Sequence, residues 1–143
     1  MKKVGTTLEF TQFFKLLRPT FQLRPFLVEL KRRYRLGVAT NRSATIPAVL
    51  EYLEIADVFD TVASARDKVP PKPAPDILKL CLERAGVRPE VAVYVGDSNF
   101  DQQAAAAAGI EFIGLGKHVE CCNSIERLSD LPAALEKLSD QQR

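Results

Sequence analysis

The run Val93-Tyr94-Val95-Gly96-Asp97-Ser98-Asn99-Phe100-Asp101 holds the strongest chemical signal in this chain. A short apolar segment ends at a glycine, two carboxylates follow, and a helical segment begins. In open α/β sheets, ligands bind beyond the carboxyl ends of the strands, where such a loop lies. Asp97 and Asp101 at that place suit a hard cation such as Mg²⁺, held by carboxylates and water. Asp97 or Ser98 also suits a plain helix N-cap, because a short polar side chain satisfies orphan N–H groups there. An EF-hand fits Asp97-x-Asn99-x-Asp101 but fails afterwards, with Gln102 in place of glycine and Ala108 in place of glutamate.

Two further stretches add to this. Arg35-Leu36-Gly37-Val38-Ala39-Thr40-Asn41 reads as a strand ending in a hydroxyl and an amide, and Lys72-Pro73-Ala74-Pro75-Asp76 as a stiff turn carrying one lysine. A strand-end hydroxyl, a fixed positive charge and a carboxylate pair together suit a phosphate group. Taken singly, Thr40 is an ordinary turn residue and Lys72 an ordinary solvated surface residue.

These residues need a scaffold, and the pattern supplies one. Phe10, Phe13, Phe14 and Leu17 form an i, i+3, i+4, i+7 stripe, predicting a helix over 8–17. A second helix is expected over 24–34, with Leu27, Leu30 and Tyr34 inward and Pro25 in its first turn. Strand 36–40 follows, then a helix near 45–54 capped by Ser43 or Thr45, strand 61–64, and a helix over 75–85 ended by Gly86. Strand 91–95, helix 100–108 ended by Gly109, strand 110–113 and a helix over 129–138 complete the series. Alternating strands and helices imply βαβ units. The expected class is therefore α/β, a three-layer Rossmann-like parallel sheet with helices on both faces. The alanines from Ala104 to Ala108 predict close helix–sheet packing. Gly114-Leu115-Gly116 lacks the third glycine of a dinucleotide fingerprint, and His118 has no catalytic partner set.

A length of 143 residues suits one domain with a sizeable core. No apolar run reaches membrane-spanning length, so no membrane partner is expected. Cys81, Cys121 and Cys122 form neither a disulfide framework nor a zinc spacing, and a cytoplasmic location is expected. The net charge of +2 is uneven: residues 1–42 carry ten Lys/Arg against two acids, with Lys31, Arg32, Arg33 and Arg35 densest. Without interleaved aromatics or a binding motif, this cluster reads as a solvated helix face, and no nucleic-acid partner is expected.

The quoted motifs resemble those of the haloacid dehalogenase-like (HAD) hydrolase superfamily, nearest its phosphoglycolate phosphatase and β-phosphoglucomutase-like branch. Ala39-Thr40-Asn41 resembles the second motif, Lys72-Pro73-Ala74-Pro75-Asp76 the third, and Gly96-Asp97-Ser98-Asn99-Phe100-Asp101 the fourth, over roughly residues 19–138. The resemblance implies Thr40 and Lys72 as catalytic groups, with Asn41 helping them to bind phosphate. It implies Mg²⁺ on Asp97 and Asp101, and a small phosphorylated metabolite hydrolysed through an aspartyl-phosphate. It also implies residues 19–143 as the core domain, with 1–18 as an N-terminal helix and candidate cap remnant.

The departure lies in the first motif, Asp-x-Asp-Gly-Thr, which supplies the nucleophile and the general acid/base. This chain has no aspartate before Asp57, and Val4 precedes Gly5-Thr6-Thr7 where an aspartate would stand. Valine cannot attack phosphorus. The chain as given is therefore expected to be inactive. It reads either as a hydrolase that has lost its N-terminal part, or as a non-catalytic module binding a phosphorylated ligand or a protein.

The same departure removes a central strand, leaving a gap of roughly 10 Å where neighbours normally sit about 4.8 Å apart. Residues 2–8 fill that gap poorly by pattern, because Lys3, Gly5, Thr7 and Glu9 share one face, and central parallel strands are apolar on both. The central first strand is thus expected to be missing or replaced: either residues 2–8 fill the position despite this pattern, or the inner strands pair directly, exchange strands in a self-associated form, or leave a marginal monomer.

Overall fold

A computed structural model describes residues 5–8, 22–41, 46–117, 119–120 and 123–141. Six parallel strands form one sheet: β1 (Gly5–Leu8), β2 (Arg35–Thr40), β3 (Thr61–Ser64), β4 (Ala92–Gly96), β5 (Glu111–Leu115) and β6 (Ser124–Ile125), in the order β3-β2-β1-β4-β5-β6. Among the described residues five α-helices accompany it: α1 (Leu23–Lys31), α2 (Ile46–Tyr52), α3 (Asp76–Ala85), α4 (Asn99–Ala108) and α5 (Leu131–Gln141).

The strands alternate their side chains between two apolar clusters. Leu36 and Val38 of β2, Val93 and Val95 of β4, and Ile113 and Leu115 of β5 pack with Leu27 and Leu30 of α1, Ile46 and Leu50 of α2, and Leu131 and Leu135 of α5. Ala39, Ala63, Ala92 and Tyr94 point the other way, toward Ile77, Leu78, Cys81 and Leu82 of α3 and Ala104, Ala105 and Ala108 of α4. Helices thus cover both faces of the sheet, as the alternation of elements predicted. The alanine run of α4 packs closely on the sheet for the reason expected, since Ala104, Ala105 and Ala108 are all buried.

At the centre of the sheet the first strand is replaced, not missing. β1 lies between β2 and β4, with Gly5 opposite Arg35 and Ala92, and Leu8 opposite Val38 and Val95. The chain's own N-terminal segment fills the position, so neither direct pairing of β2 with β4 nor strand exchange is needed. The side-chain pattern argued against this outcome, but backbone satisfaction outweighs it. Each flanking strand offers a row of unpaired N–H and C=O groups, and one tetrapeptide satisfies both rows. The β-branched pair Thr6-Thr7 suits the extended conformation.

Element ends follow local chemistry. Pro25 sits in the first turn of α1, and Gly86 and Gly109 close α3 and α4 in the left-handed region at φ 67° and 73°. The helix expected over 8–17 lies outside the described residues except for Leu8, which ends β1. His118, Cys121, Cys122 and the proposed caps Ser43 and Thr45 also lie outside them.

The basic cluster is more structural than a solvated face. Lys31 pairs with Asp60 at 2.9 Å and Arg33 with Glu136 at 2.6 Å, while Arg35 donates to the Ala85 carbonyl at 2.7 Å. These contacts fasten α1 and β2 to the segment before β3, to α5 and to the end of α3. Arg32 pairs with Glu29 one turn back, at 3.3 Å. No helix among the described residues is long and apolar enough to cross a membrane.

Candidate functional site

The predicted site residues converge where β2 and β4 end on either side of β1. Strand order reverses there, the usual ligand position of doubly wound sheets. Thr40 is the last residue of β2 and is fully buried. Asn41 follows it, and Asp97 follows the last residue of β4. Lys72 arrives on the loop before α3, and Asp101 on the first turn of α4.

Lys72 is the hub. Only 5% of its surface is exposed, yet its ammonium lies 2.7 Å from Asp101 Oδ1 and 2.9 Å from the Tyr94 hydroxyl. Its backbone is held separately: Lys72 N–H donates to Asn41 Oδ1 at 2.9 Å, and Asn41 Nδ2 donates to the Lys72 carbonyl at 3.4 Å. Burial pushes the Lys72 ammonium below its ordinary pKa, because a low-dielectric site disfavours the charged form. The charge and hydrogen bond of Asp101, and the charge of Asp97, oppose that shift.

Asp101 is itself buried, and both its oxygens are engaged. Oδ1 faces Lys72, while Oδ2 accepts from the backbone N–H groups of Asp97 and Ser98, each at 3.1 Å, and from Ser98 Oγ at 2.9 Å. Ser98 Oγ in turn accepts from the Asp101 N–H at 3.2 Å, completing a capping box. Ser98 is thus the helix cap that the bare sequence allowed, and the same box positions Asp97. The Asn41 side-chain amide engages the Lys72 backbone and so shapes the lysine loop.

Gly96 allows this assembly. A Cβ there would sit 2.5 Å from Asp101 Cβ, so only glycine lets α4 approach the end of β4 this closely.

Tyr94 is the participant that sequence reasoning missed. It is fully buried, donates to the Ala39 carbonyl at 2.9 Å and accepts from Lys72. Burial, reinforced by the charge of Asp101, raises its pKa well above the ordinary value, so the phenol stays protonated. Its signal in the sequence was a lone hydroxyl-bearing ring in the aliphatic segment Val93–Val95, since a buried phenol requires a partner.

The metal expectation can be tested against the donors present. Among the described residues no group of three or more His, Cys, Asp or Glu side chains is arranged to hold a metal ion. Mg²⁺ commonly uses one or two carboxylates, with water and phosphate oxygens completing its shell. Asp97 fits that mode. A direct bond from Asp101 would displace one of the hydrogen bonds given above.

Comparison with known proteins identifies relatives of the chain and of its fold. The chain is 44% identical over 81 residues to the phosphoglycolate phosphatase of Escherichia coli strain K12, a match covering 56% of this chain and 32% of that enzyme. The chain thus spans about a third of the curated relatives it matches. A HAD-superfamily hydrolase of subfamily IA from Geobacter sulfurreducens superposes with a TM-score of 0.73 at 35% identity, over 78% of this chain and 53% of that one. CbbY from Rhodobacter sphaeroides, solved in complex with phosphate, superposes with a TM-score of 0.68 at 28% identity, over 84% of this chain and 59% of that one. The sequence model of the haloacid dehalogenase-like hydrolases matches residues 6–115, and on that match the chain belongs to this family.

Proposed function

We propose that this chain carries the phosphate-binding part of a phosphomonoester hydrolase centre, acting on a small phosphorylated metabolite. The observation that carries the reading is a buried Lys72 held at the strand ends between Asn41, Tyr94 and Asp101. A lysine removed from water at that cost has a use beyond solubility, and a phosphate oxygen is a fitting counter-charge. The phosphatase relatives and the phosphate-bound neighbour support the same ligand class.

In this reading Thr40 donates to the phosphoryl group, and Lys72 offsets its charge. Asn41 holds the Lys72 loop in place. Asp97 holds Mg²⁺, and Asp101 aligns Asp97 through its backbone N–H. Bound there, Mg²⁺ would neutralise phosphate oxygens and favour charge build-up in the transition state. All these contributions are preorganised electrostatics around phosphoryl transfer. The covalent step needs a carboxylate nucleophile. No aspartate precedes Asp57, so this chain as given binds without turning over, and is non-catalytic in isolation.

Titration with inorganic phosphate and Mg²⁺, followed by amide NMR, tests the proposal. Shifts at Thr40 and Gly96–Asp101 are expected, with affinity at about the millimolar level or weaker, because so few carboxylates make a poor cage. Shifts confined to Lys31–Arg35 would move the anion site to the basic cluster and overturn the reading. p-Nitrophenyl phosphate is expected to remain unhydrolysed; robust turnover abolished by Asp97→Ala would require another nucleophile.

A further inference from the structure

We infer that Tyr94 is a positioning residue, whose hydroxyl fixes the Lys72 ammonium at the strand ends where it meets a phosphate oxygen. The phosphate half of this statement rests on the function proposed above; the positioning half stands on geometry alone.

The hydroxyl has polar neighbours among the described residues that include the Ala39 carbonyl at 2.9 Å, Lys72 Nζ at 2.9 Å and Asp101 Oδ1 at 3.3 Å. It has one proton to give. An ammonium only donates, so the hydroxyl must accept from Lys72. Its own proton then goes to the nearer Ala39 carbonyl. The phenol thereby serves as a relay of orientation: β2 fixes the hydroxyl, and the hydroxyl fixes the lysine.

The surroundings show that packing alone does not explain a tyrosine here. The ring belongs to the buried cluster that holds Ala39, Ala63, Ala104 and Ala105, with the Phe112 ring 6.3 Å away. A phenylalanine would fill that space without burying a hydroxyl, which is costly unless every polar atom is satisfied. Tyr94 also differs from Asp101 in kind. The carboxylate attracts the ammonium as a counter-charge. The neutral phenol directs the ammonium and leaves its charge available to a ligand.

The test compares Tyr94→Phe with wild type by the initial rate of Lys72 acetylation, read by peptide mass spectrometry. Tyr94→Phe is expected to raise that rate roughly tenfold, the population shift that one lost hydrogen bond to a charged group allows. Phe112→Leu serves as the control, because it loosens the ring and spares the hydroxyl; it is expected to leave the rate unchanged. An unchanged rate in Tyr94→Phe, or equal acceleration in Phe112→Leu, would reduce Tyr94 to a packing residue and overturn the inference. A phosphate titration separates the two claims. Faster acetylation in Tyr94→Phe with no phosphate response in wild type would keep the positioning and sink the phosphate site. Should Tyr94→Phe fail to fold, wild type still decides. A slowly exchanging Lys72 ammonium signal with a cross-peak to the Tyr94 ring supports the inference, and its absence overturns it.

Discussion

Lys72 Nζ and Asp101 Oδ1 lie 2.7 Å apart, with only 4% and 2% of their side chains open to solvent. The same carboxylate receives three donors from Asp97 and Ser98. One aspartate therefore fastens the lysine loop, the end of β4 and the start of α4.

Loss of that aspartate should be costly. Asp101→Ala is expected to destabilise the fold by about 3–5 kcal/mol, because it strands a buried ammonium. Lys72→Met should cost less, since Asp101 keeps its three loop donors. Urea denaturation of both variants checks the order; equal losses would mean that the loop donors contribute nothing.

Gly96→Ala is expected to cost about 1–3 kcal/mol, the usual range for overpacking. The added methyl would meet Asp101 Cβ at 2.5 Å and Asp101 Oδ2 at 2.6 Å, and α4 must shift to admit it. Amide resonances of Asp97 and Ser98 should move with it. A variant as stable as wild type, with those resonances unmoved, would show that the close approach is not required.

Acid sensitivity should trace in part to Asp67. Its hydrogen bond to Arg84 holds the carboxyl below its usual pKa, against a smaller opposing effect of burial. A depressed folded-state pKa stabilises at pH above the unfolded value of about 3.9, and that stabilisation fades as pH falls through the folded value. Thermal melts should therefore separate wild type from Asp67→Asn at neutral pH and bring them together in strong acid. A constant difference across that range would assign the effect to the hydrogen bond that Asp67 Oδ2 accepts from the Ser64 N–H, rather than to charge.

Thr61→Val should be neutral or stabilising by up to about 1 kcal/mol. Among the described residues Thr61 Oγ1 is buried without a hydrogen-bond partner, and valine replaces it with a methyl of similar size. A clear loss of stability on thermal unfolding would reveal a partner for that hydroxyl.

Legibility in the sequence divides by range. Elements with local signals were readable: Gly86 and Gly109 end their helices, and the alanines of α4 lie against the sheet. The motif residues Thr40, Lys72, Asp97 and Asp101 could be read as one group because each stands beside a strand end or helix start. Their wiring could not. Asn41 to Lys72 spans 31 residues and Tyr94 to Ala39 spans 55, and no local pattern encodes such pairs. The strand β6 is two residues long, too short for periodicity to show. The place of β1 is poorly legible because its polar alternation argues against a central strand, while the two open edges that it satisfies lie far along the chain.

β1 has a mechanical consequence. The sheet divides into β3-β2 on one side and β4-β5-β6 on the other, joined in the strand order by four residues. Its last pairs are Leu8 with Val38 and Val95; one residue further along β2, the Ala39 carbonyl is held by Tyr94 of β4. The tetrapeptide and that phenol act as a hinge pin and its clip. With the two apolar clusters that span the sheet, they couple the halves, so a loosened β1 would weaken the register between the strand ends that carry Thr40 and Asp97.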